Sequence, residues 1–513
     1  MSQGNEQPPA EKSTAYRVAA GTALFITMRW CFRLIGLVST VILARVLVPE
    51  DFGIFAIAAS YITLVEGLTD LSVRSSVVRH GGEDRAFLDT VFTVQLLRGV
   101  LICAFILATS LIVPTLVNDD RIGPVIWCLA LNTLWSSVLS PRMALFEREL
   151  DFRRELLMQF VGKVLSTLAA IAVALIYQSY WALIVGSLVG SLSRVTISYY
   201  LAPFWPRLGL QQWRKLFSFA GWVSAATTVD TLGHQFDSII IGGFLDVRSA
   251  GIYRVGSEFA ALPLGEFLPV LSRTLFPGLL KFKDDIPKLR QNTLDAVEMI
   301  CTLALPIAVG FAFVAPEVVR ILYGDKWIAA IPIVQAVSLC VGIEALGGSV
   351  STSVAMARDH TKFLFRRSVA YSLARLPAFI VGAWLFGITG ALFGYLVGSL
   401  LLAGANLTIL RTLLETSYGA IGMRVWRSAA AAAVMAAVLW LVPTHYGESD
   451  GVANDALNIM IKMALGAATY TIVRLAIWQV SGTAEFSERS LQRVWSAVTA
   501  RLPLRLGSKA GRD

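Results

Sequence analysis

Charged side chains occur inside long apolar stretches of this sequence. Arg29 and Arg33 are four residues apart in the first stretch, and Glu66 and Asp70 are four apart in the second. Residues spaced by four share one face of an α-helix. Because a charge inside a bilayer is costly, such residues usually mark a binding site or an ion pathway.

Arginines form the first candidate set. The guanidinium group presents a forked set of donors that matches phosphate oxygens. We therefore expect the arginines near mid-span to bind a diphosphate or sugar headgroup: Arg29, Arg33, Arg98 and Arg375, with Arg273 as a fifth. Arg273 lies near the cytoplasmic end of its span, so snorkelling towards the membrane surface is its alternative interpretation.

Acidic residues and one histidine form the second set. Asp230, His234 and Asp237 are spaced i, i+4 and i+7 and therefore share a helix face. A histidine titrates near neutral pH, and acid–histidine chains in membranes are common proton relays. This spacing predicts ion coupling, with Glu66 and Asp70 as further members. The alternative is a static polar network, for example a helical pair of Asp70 with Arg74.

No enzyme signature is present. The sequence lacks a Walker loop, GxSxG and HExxH, and its four histidines are scattered. We expect no catalytic residue, no metal site and no cofactor, and a secondary transporter is favoured over an ATP-driven one. The net charge of +9 is explained by basic cytoplasmic loops, so no nucleic-acid partner is expected.

The composition identifies the elements that must position these residues. The chain has 513 residues, is 56% hydrophobic and only 15% charged, whereas soluble domains carry about 25% charged residues. We predict an all-α polytopic membrane protein with about fourteen transmembrane helices. The predicted spans are 18–47, 52–77, 88–113, 122–146, 156–177, 181–202, 215–244, 251–276, 291–314, 329–357, 363–386, 388–410, 426–443 and 457–480.

Basic residues in the loops predict the orientation. With the N-terminus inside, the outer loops hold only Arg121, Arg248, Arg320 and Lys326, and all other basic loop residues are cytoplasmic. This bias predicts that both termini are cytoplasmic. No charge is expected at mid-span in the last two helices, so the polar residues should concentrate in the first twelve.

An internal repeat divides the chain. The corner that contains Pro49 and Gly53 aligns with the corner that contains Gly251, and both copies start on the inside. This predicts two six-helix lobes in a parallel pseudo-two-fold repeat plus two C-terminal helices, with the corner residues in gating or structural roles. The predicted divisions are a disordered cytoplasmic tail 1–16, an N-lobe 17–202, an interfacial linker 203–214, a C-lobe 215–414, two further helices 415–480 and a basic amphipathic tail 481–513.

The first corner also carries a family resemblance. The stretch LARVLVPEDFGIFA (43–56) resembles the oligosaccharide flippases of the polysaccharide transporter family, as does LTDLSV (68–73). The stretches LDFRR (150–154) and YWAL (180–183) resemble the colanic-acid-type exporters of that family. The resemblance implies membership of the exporter superfamily that also contains lipid II flippases and multidrug extruders.

The resemblance implies a function and partners. Such proteins have two lobes around a V-shaped cavity and use alternating access to move undecaprenyl-diphosphate-linked oligosaccharides to the periplasmic leaflet of the inner membrane. The implied partners are this lipid-linked oligosaccharide, bilayer lipids, a polysaccharide polymerase and chain-length or export proteins. Two alternatives remain open: a proton- or sodium-coupled multidrug exporter of the same fold, and a membrane polysaccharide polymerase, which the short outer loops disfavour.

Overall fold

A computed structural model describes residues 10–68, 84–148, 152–213, 222–265, 268, 275, 278–442 and 451–481, with side chains from residue 28 onwards except at 152, 222–227, 230, 232, 234 and 481. The regular secondary structure of these residues is helical, and no strand occurs in them. Residues 482–513 of the predicted amphipathic tail 481–513 and the predicted site residues Asp70 and Arg273 lie outside the described residues, as do the side chains of Asp230 and His234.

The described helices follow the predicted spans closely. In chain order they are α1 (Ala10–Val46), α2 (Pro49–Leu68), α3 (Arg85–Thr109), α4 (Ile112–Val117), α5 (Ile122–Ser137), α6 (Met143–Arg148), α7 (Phe152–Tyr177), α8 (Trp181–Leu201), α9 (Trp222–Phe244), α10 (Val247–Gly265), α11 (Ile286–Tyr323), the 3-10 helix Asp325–Ala330, α12 (Ile331–Glu344), α13 (Gly348–Ala357), α14 (Thr361–Leu414), α15 (Tyr418–Trp440) and α16 (Val452–Ser481).

Several of these helices are long and apolar enough to cross a bilayer. Nine candidate spans meet this condition within the described residues, and α5 is a shorter apolar helix. Helix α14 covers two of the predicted spans, 363–386 and 388–410. Its backbone is kinked between them at Gly387, which has φ 63° and ψ −143°. The prediction of an all-α polytopic membrane protein is confirmed, and the count of fourteen spans is compatible with these helices.

Three predicted boundaries differ from the structure. Helix α1 begins at Ala10, within the predicted tail 1–16. The predicted span 122–146 ends at Ser137, and the chain turns through Pro141 before α6, since proline lacks the N–H that a continuing helix needs. The predicted span 329–357 is divided at Gly347, whose φ of 76° favours glycine.

The described residues form two compact units. The first comprises Met1–Gly256, Leu322–Ala330 and Ser368–Gly394. In it α7 packs on both α1 and α8, α2 packs on α9, and α3 packs on α5. The short segment around Trp327 belongs to this unit: its indole Nε1 donates to the carbonyl oxygen of Ala44 at 2.9 Å, and its ring lies edge-on to Phe52.

The chain after α8 is fixed to α3 by backbone hydrogen bonds. The backbone N–H of Arg207 donates to Asp89 Oδ1 at 3.0 Å, and that of Gly209 donates to Thr93 Oγ1 at 3.0 Å. These contacts lie within the predicted interfacial linker 203–214. They give this irregular segment hydrogen-bond partners that its own backbone does not supply.

The second unit comprises Ser257–Ile321, Ile331–Arg367 and Tyr395–Asp513. In it α15 packs on α16. Their shared apolar core contains Ala431, Met435 and Tyr470, and Leu305 and Phe313 of α11 pack against it. The two C-terminal helices therefore rest on α11 within this unit.

Candidate functional site

The arginines of α1 are partly buried in the first unit. Arg29 and Arg33 are both of intermediate exposure, and the Nε atom of Arg33 is buried. Helix α1 packs against α7, and the rings of Phe32 and Phe160 have centroids 6.2 Å apart at this contact. The predicted pair thus lies on a helix whose position is set by aromatic packing beside the charges.

Arg98 and Glu66 lie together in the structure. Arg98 Nη2 donates to the backbone carbonyl oxygen of Glu66 at 2.8 Å, and Thr133 Oγ1 donates to Glu66 Oε1 at 2.6 Å. The contacts join α2, α3 and α5. Two residues predicted for different roles, phosphate binding and ion coupling, are therefore parts of one polar cluster.

Arg375 and Asp237 form a buried ion pair in the first unit. Arg375 is 0% exposed and Asp237 is 4% exposed. The guanidinium donates to Asp237 Oδ2 and, at 3.0 Å, to the carbonyl oxygen of Gly233. Tyr253 OH donates to the same carboxylate oxygen at 2.8 Å. The pair links α9, α10 and α14, and its roles in phosphate binding and ion coupling stay predictions.

Aromatic rings complete the surroundings of this pair. The guanidinium carbon of Arg375 lies 5.8 Å from the Tyr371 ring centroid and 5.6 Å from that of Phe379. The second carboxylate oxygen of Asp237, Oδ1, is buried and accepts no hydrogen bond from the described residues. A charge so enclosed is stable only while its partner is present, because desolvation of a lone charge is costly.

The predicted corner residues are in direct contact. A Cβ on Gly53 would lie 1.8 Å from the carbonyl oxygen of Val247, and a Cβ on Gly251 would lie 2.0 Å from that of Pro49. No side chain fits at either position, so the N-terminal turns of α2 and α10 cross backbone to backbone. The two glycines that the predicted repeat aligns therefore lie next to each other, and their gating or structural role stays a prediction.

Charges in the last two helices were missed by the sequence analysis, and that prediction was wrong. Lys462 of α16 is 1% exposed and pairs with Glu317 of α11, which is 0% exposed. Arg474 of α16 lies 3.5 Å from Glu298 and also donates to Ser428. Both cations lie within the predicted apolar span 457–480, and this position in the sequence could have identified them as buried charges.

Further ion pairs join the same helices. Arg424 of α15 contacts Asp295 at 2.9 Å and Glu298 at 3.1 Å. Near the opposite end of α11, Arg320 lies 3.6 Å from Asp455 of α16. The second unit thus pairs carboxylates of α11 with cations of α15 and α16, and a cation of α11 with a carboxylate of α16. This arrangement indicates structural ion pairs rather than an open binding site.

Comparison with known proteins identifies the family. Residues 42–332, more than half of the chain, match the family described as polysaccharide biosynthesis protein. The lipopolysaccharide biosynthesis protein WzxC of Escherichia coli (strain K12) is 24% identical over 373 residues, which cover 71% of this chain and 74% of the relative. The succinoglycan biosynthesis transport protein ExoT of Rhizobium meliloti (strain 1021) is 24% identical over 488 residues, covering 91% and 92%.

Solved structures show the same fold. The inward closed conformation of the lipid II flippase MurJ superposes with a TM-score of 0.71 at 16% identity, covering 90% of this chain and 100% of that chain. An inward-facing multidrug resistance transporter of the MATE family gives a TM-score of 0.56 at 14% identity, covering 75% and 96%. The resemblance predicted from residues 43–56 is confirmed. This chain is a multi-pass membrane protein with the fold of these transporters, and it belongs to the polysaccharide biosynthesis protein family.

Proposed function

We propose that this protein is a flippase that moves undecaprenyl-diphosphate-linked oligosaccharides from the cytoplasmic to the periplasmic leaflet by alternating access. The observation that carries the proposal is the similarity along about nine-tenths of both chains to a succinoglycan transport protein. The flippase fold agrees with it. The product would serve a surface polysaccharide, exopolysaccharide or lipopolysaccharide pathway.

The chemistry of the substrate explains the charged residues. A diphosphate cannot cross hydrocarbon unaided, because an unpaired charge in an apolar medium costs many kcal/mol. Arginines inside apolar helices can neutralise the diphosphate while the polyprenyl tail stays in the bilayer. We assign this role to Arg29, Arg33 and Arg98, with Arg273 and Arg375 as further members of the set.

The carboxylates are assigned to energy coupling. The buried pair of Asp237 and Arg375 gives this proposal a physical basis, since protonation of Asp237 would remove the charge that Arg375 faces. Asp230, His234, Glu66 and Asp70 complete the proposed coupling set. No enzymatic step is proposed, because the relatives named above include transport proteins.

Location, domains and partners follow from the same proposal. The protein would lie in a bacterial inner membrane with both termini in the cytoplasm. Its lobes would be 17–202 and 215–414, with 415–480 as two additional helices. A polysaccharide polymerase and chain-length or export proteins would act on the flipped product.

Export of surface polysaccharide tests the function. Arg29, Arg33, Arg98 and Arg375 are replaced singly by alanine in a strain that lacks the gene, and surface polysaccharide is measured. We expect reduced export by the variants and normal export by Arg248→Ala, which changes an exposed arginine paired with Glu50 outside the proposed site. Wild-type export by all four variants at normal protein amounts would disprove the headgroup role.

The multidrug alternative makes a different prediction. A multidrug exporter of this fold would lower the cellular accumulation of cationic dyes and leave surface polysaccharide unchanged in the deletion strain. We expect the opposite pattern, loss of polysaccharide with unchanged dye accumulation.

A further inference from the structure

A small cavity lies in the first unit, between α3, the turn that follows α5, α6 and α7. Its volume is about 120 Å³, whereas pockets that enclose a whole drug-sized ligand have roughly 300–1,000 Å³. The cavity can therefore hold one small chemical group rather than a complete ligand molecule.

Apolar side chains form most of the cavity wall. Val91 belongs to a buried cluster with Ala144 and Phe204, and Met143 and Met158 belong to a second buried cluster. Packing within these two clusters holds the wall in place without a ligand. The cavity is therefore preformed, and its wall is suited to the aliphatic part of a ligand.

Two side chains give the cavity its polarity. Glu155, in the first turn of α7, contributes a carboxylate, and Gln95 of α3 contributes an amide. Gln159 Nε2 donates to Glu155 Oε1 at 3.0 Å, and an ionised carboxylate can accept about four hydrogen bonds in all. A carboxylate among apolar side chains attracts a cation and repels an anion. The cavity is therefore suited to an ammonium group on a short aliphatic stem.

The position of the cavity indicates where such an ammonium comes from. Glu155 lies within one turn of the start of α7, and the segment 203–214 is hydrogen-bonded to α3 beside Gln95. The cavity thus lies where the chain leaves the apolar helices, at the level of the lipid headgroups. Exposed leucines continue from it along the same two helices: Leu97 and Leu101 of α3 and Leu157 of α7.

An exposed arginine lies beside the cavity. The guanidinium carbon of Arg154 lies 4.5 Å from the ring centroid of Phe146, which is one turn along α6 from Met143 of the cavity wall. A guanidinium group matches the oxygens of a phosphate. A guanidinium and a carboxylate therefore follow each other at positions 154 and 155. A zwitterionic phospholipid headgroup carries the complementary charges, a phosphate and an ammonium joined by an ethylene group.

We propose that this cavity binds the ammonium group of phosphatidylethanolamine, with Glu155 as the ligand of the ammonium and Arg154 as the ligand of the phosphate. A primary ammonium has three N–H donors, so the amide oxygen of Gln95 accepts a further hydrogen bond beside the carboxylate. The acyl chains lie along the exposed leucines of α3 and α7. This site is separate from the proposed flippase function and does not depend on it.

Lipid titration of the purified full-length protein, followed by native mass spectrometry, tests the site. The probes share the same acyl chains: phosphatidylethanolamine, phosphatidylcholine, whose ammonium is fully methylated, and phosphatidylglycerol, which has no ammonium. We expect wild-type protein to bind phosphatidylethanolamine about tenfold more tightly than either of the others, because its ammonium alone donates hydrogen bonds to Glu155.

Substitutions assign the parts of the headgroup to the two charged side chains. Glu155→Gln should raise the Kd of phosphatidylethanolamine about tenfold and remove the preference over phosphatidylcholine. Arg154→Gln should weaken both lipids by the same factor, since both carry the phosphate. The matched control is Glu415→Gln, which neutralises an exposed carboxylate at the end of α14 and should leave every Kd unchanged.

One further variant tests the cavity without changing a charge. Ala144→Leu places additional apolar atoms in the cavity and should weaken phosphatidylethanolamine binding about as much as Glu155→Gln. A melting temperature that stays at the wild-type value separates this effect from misfolding.

Three outcomes would overturn the proposal. The first is an unchanged preference for phosphatidylethanolamine in Glu155→Gln. The second is equal or tighter binding of phosphatidylglycerol by wild type, which would indicate a general attraction of anionic lipids to the arginines. The third is binding of free ethanolamine with the same Kd as the lipid, which would indicate a site for a soluble amine. Each of these results leaves the flippase function standing, because polysaccharide export tests that function separately.

Discussion

The helices α1, α7 and α8 balance their charges differently from α11, α15 and α16. The first group combines Arg29, Arg33, Lys163 and Arg194, and its carboxylate Glu155 lies in the first turn of α7, since residues 28–46, 156–177 and 181–201 contain no Asp or Glu. In the second group, Lys462, Arg424 and Arg474 each contact a carboxylate of α11. The same residue types therefore occur in two electrostatic settings.

This difference between the two helix groups distinguishes charged residues that stabilise the fold from charged residues that are available to bind a ligand. A buried pair holds two helices together, and its main physical property is that neither member can be removed alone. Like charges that share one group of apolar helices repel one another and are suited to a ligand of opposite charge. Stability and polysaccharide export are independent measurements of these two properties.

The largest effect is expected at the Lys462–Glu317 pair. Lys462→Met leaves the buried Glu317 without its partner and should lower the free energy of unfolding by about 3–5 kcal/mol. The double variant Glu317→Leu with Lys462→Met should recover most of this loss, because no buried charge remains. Chemical denaturation of purified protein measures both. An equal loss in the single and double variants would contradict a buried pair.

The Asp237–Arg375 pair should show strong coupling. In a double-mutant cycle with Asp237→Asn and Arg375→Gln, we expect an interaction free energy of about 2–3 kcal/mol, near the upper end for contacting residues. Tyr253→Phe removes one donor to the same carboxylate and should cost about 1 kcal/mol. Additive single effects would show that the two residues do not depend on each other.

The contact of α2 with α10 should tolerate no side chain. Gly53→Ala places a Cβ against the Val247 carbonyl oxygen and should cost about 1–3 kcal/mol as the helices separate. The control is Gly404→Ala in α14, whose Cβ would have no atom within 4 Å and should not destabilise the protein. The melting temperatures of the two variants measure the difference in stability. Equal melting temperatures would contradict a tight contact between α2 and α10.

The smallest effect on stability is expected in the cationic group. Arg33→Gln should change the free energy of unfolding by no more than about 0.5 kcal/mol, because Arg33 is only partly buried and glutamine keeps a polar side chain of similar length at this position. Surface polysaccharide export should nevertheless fall. A large loss of stability without a change in export would place Arg33 with the structural charges of the second group.

Much of the fold could be predicted from local patterns. Apolar stretches predicted the helices, and the Pro49–Gly53 corner predicted an equivalent at Gly251 that the structure places in contact with it. The predicted helix boundaries were wrong where a single residue breaks the helix, as at Pro141 and Gly347. Such breaks depend on backbone conformation, which hydrophobic patterns do not report.

The partners of the charged residues could not be predicted in the same way. Asp237 and Arg375 are 138 residues apart, and no helical spacing relates them. The pairing of Lys462 with Glu317 likewise depends on how α16 packs against α11. Sequence patterns identified which residues are unusual, whereas tertiary packing decided which of them neutralise each other.

The composition of the first unit has a consequence for biosynthesis. This unit includes Ser368–Gly394, so the ribosome must complete most of the chain before Asp237 can meet Arg375. At about 5–20 residues per second, the 138 intervening residues take on the order of 7–28 seconds to synthesise. During that interval Asp237 must stay hydrated, become protonated or be shielded by the insertion machinery. The N-terminal half therefore reaches its final packing only late in translation, and cells that lack membrane insertases or chaperones should degrade this protein preferentially.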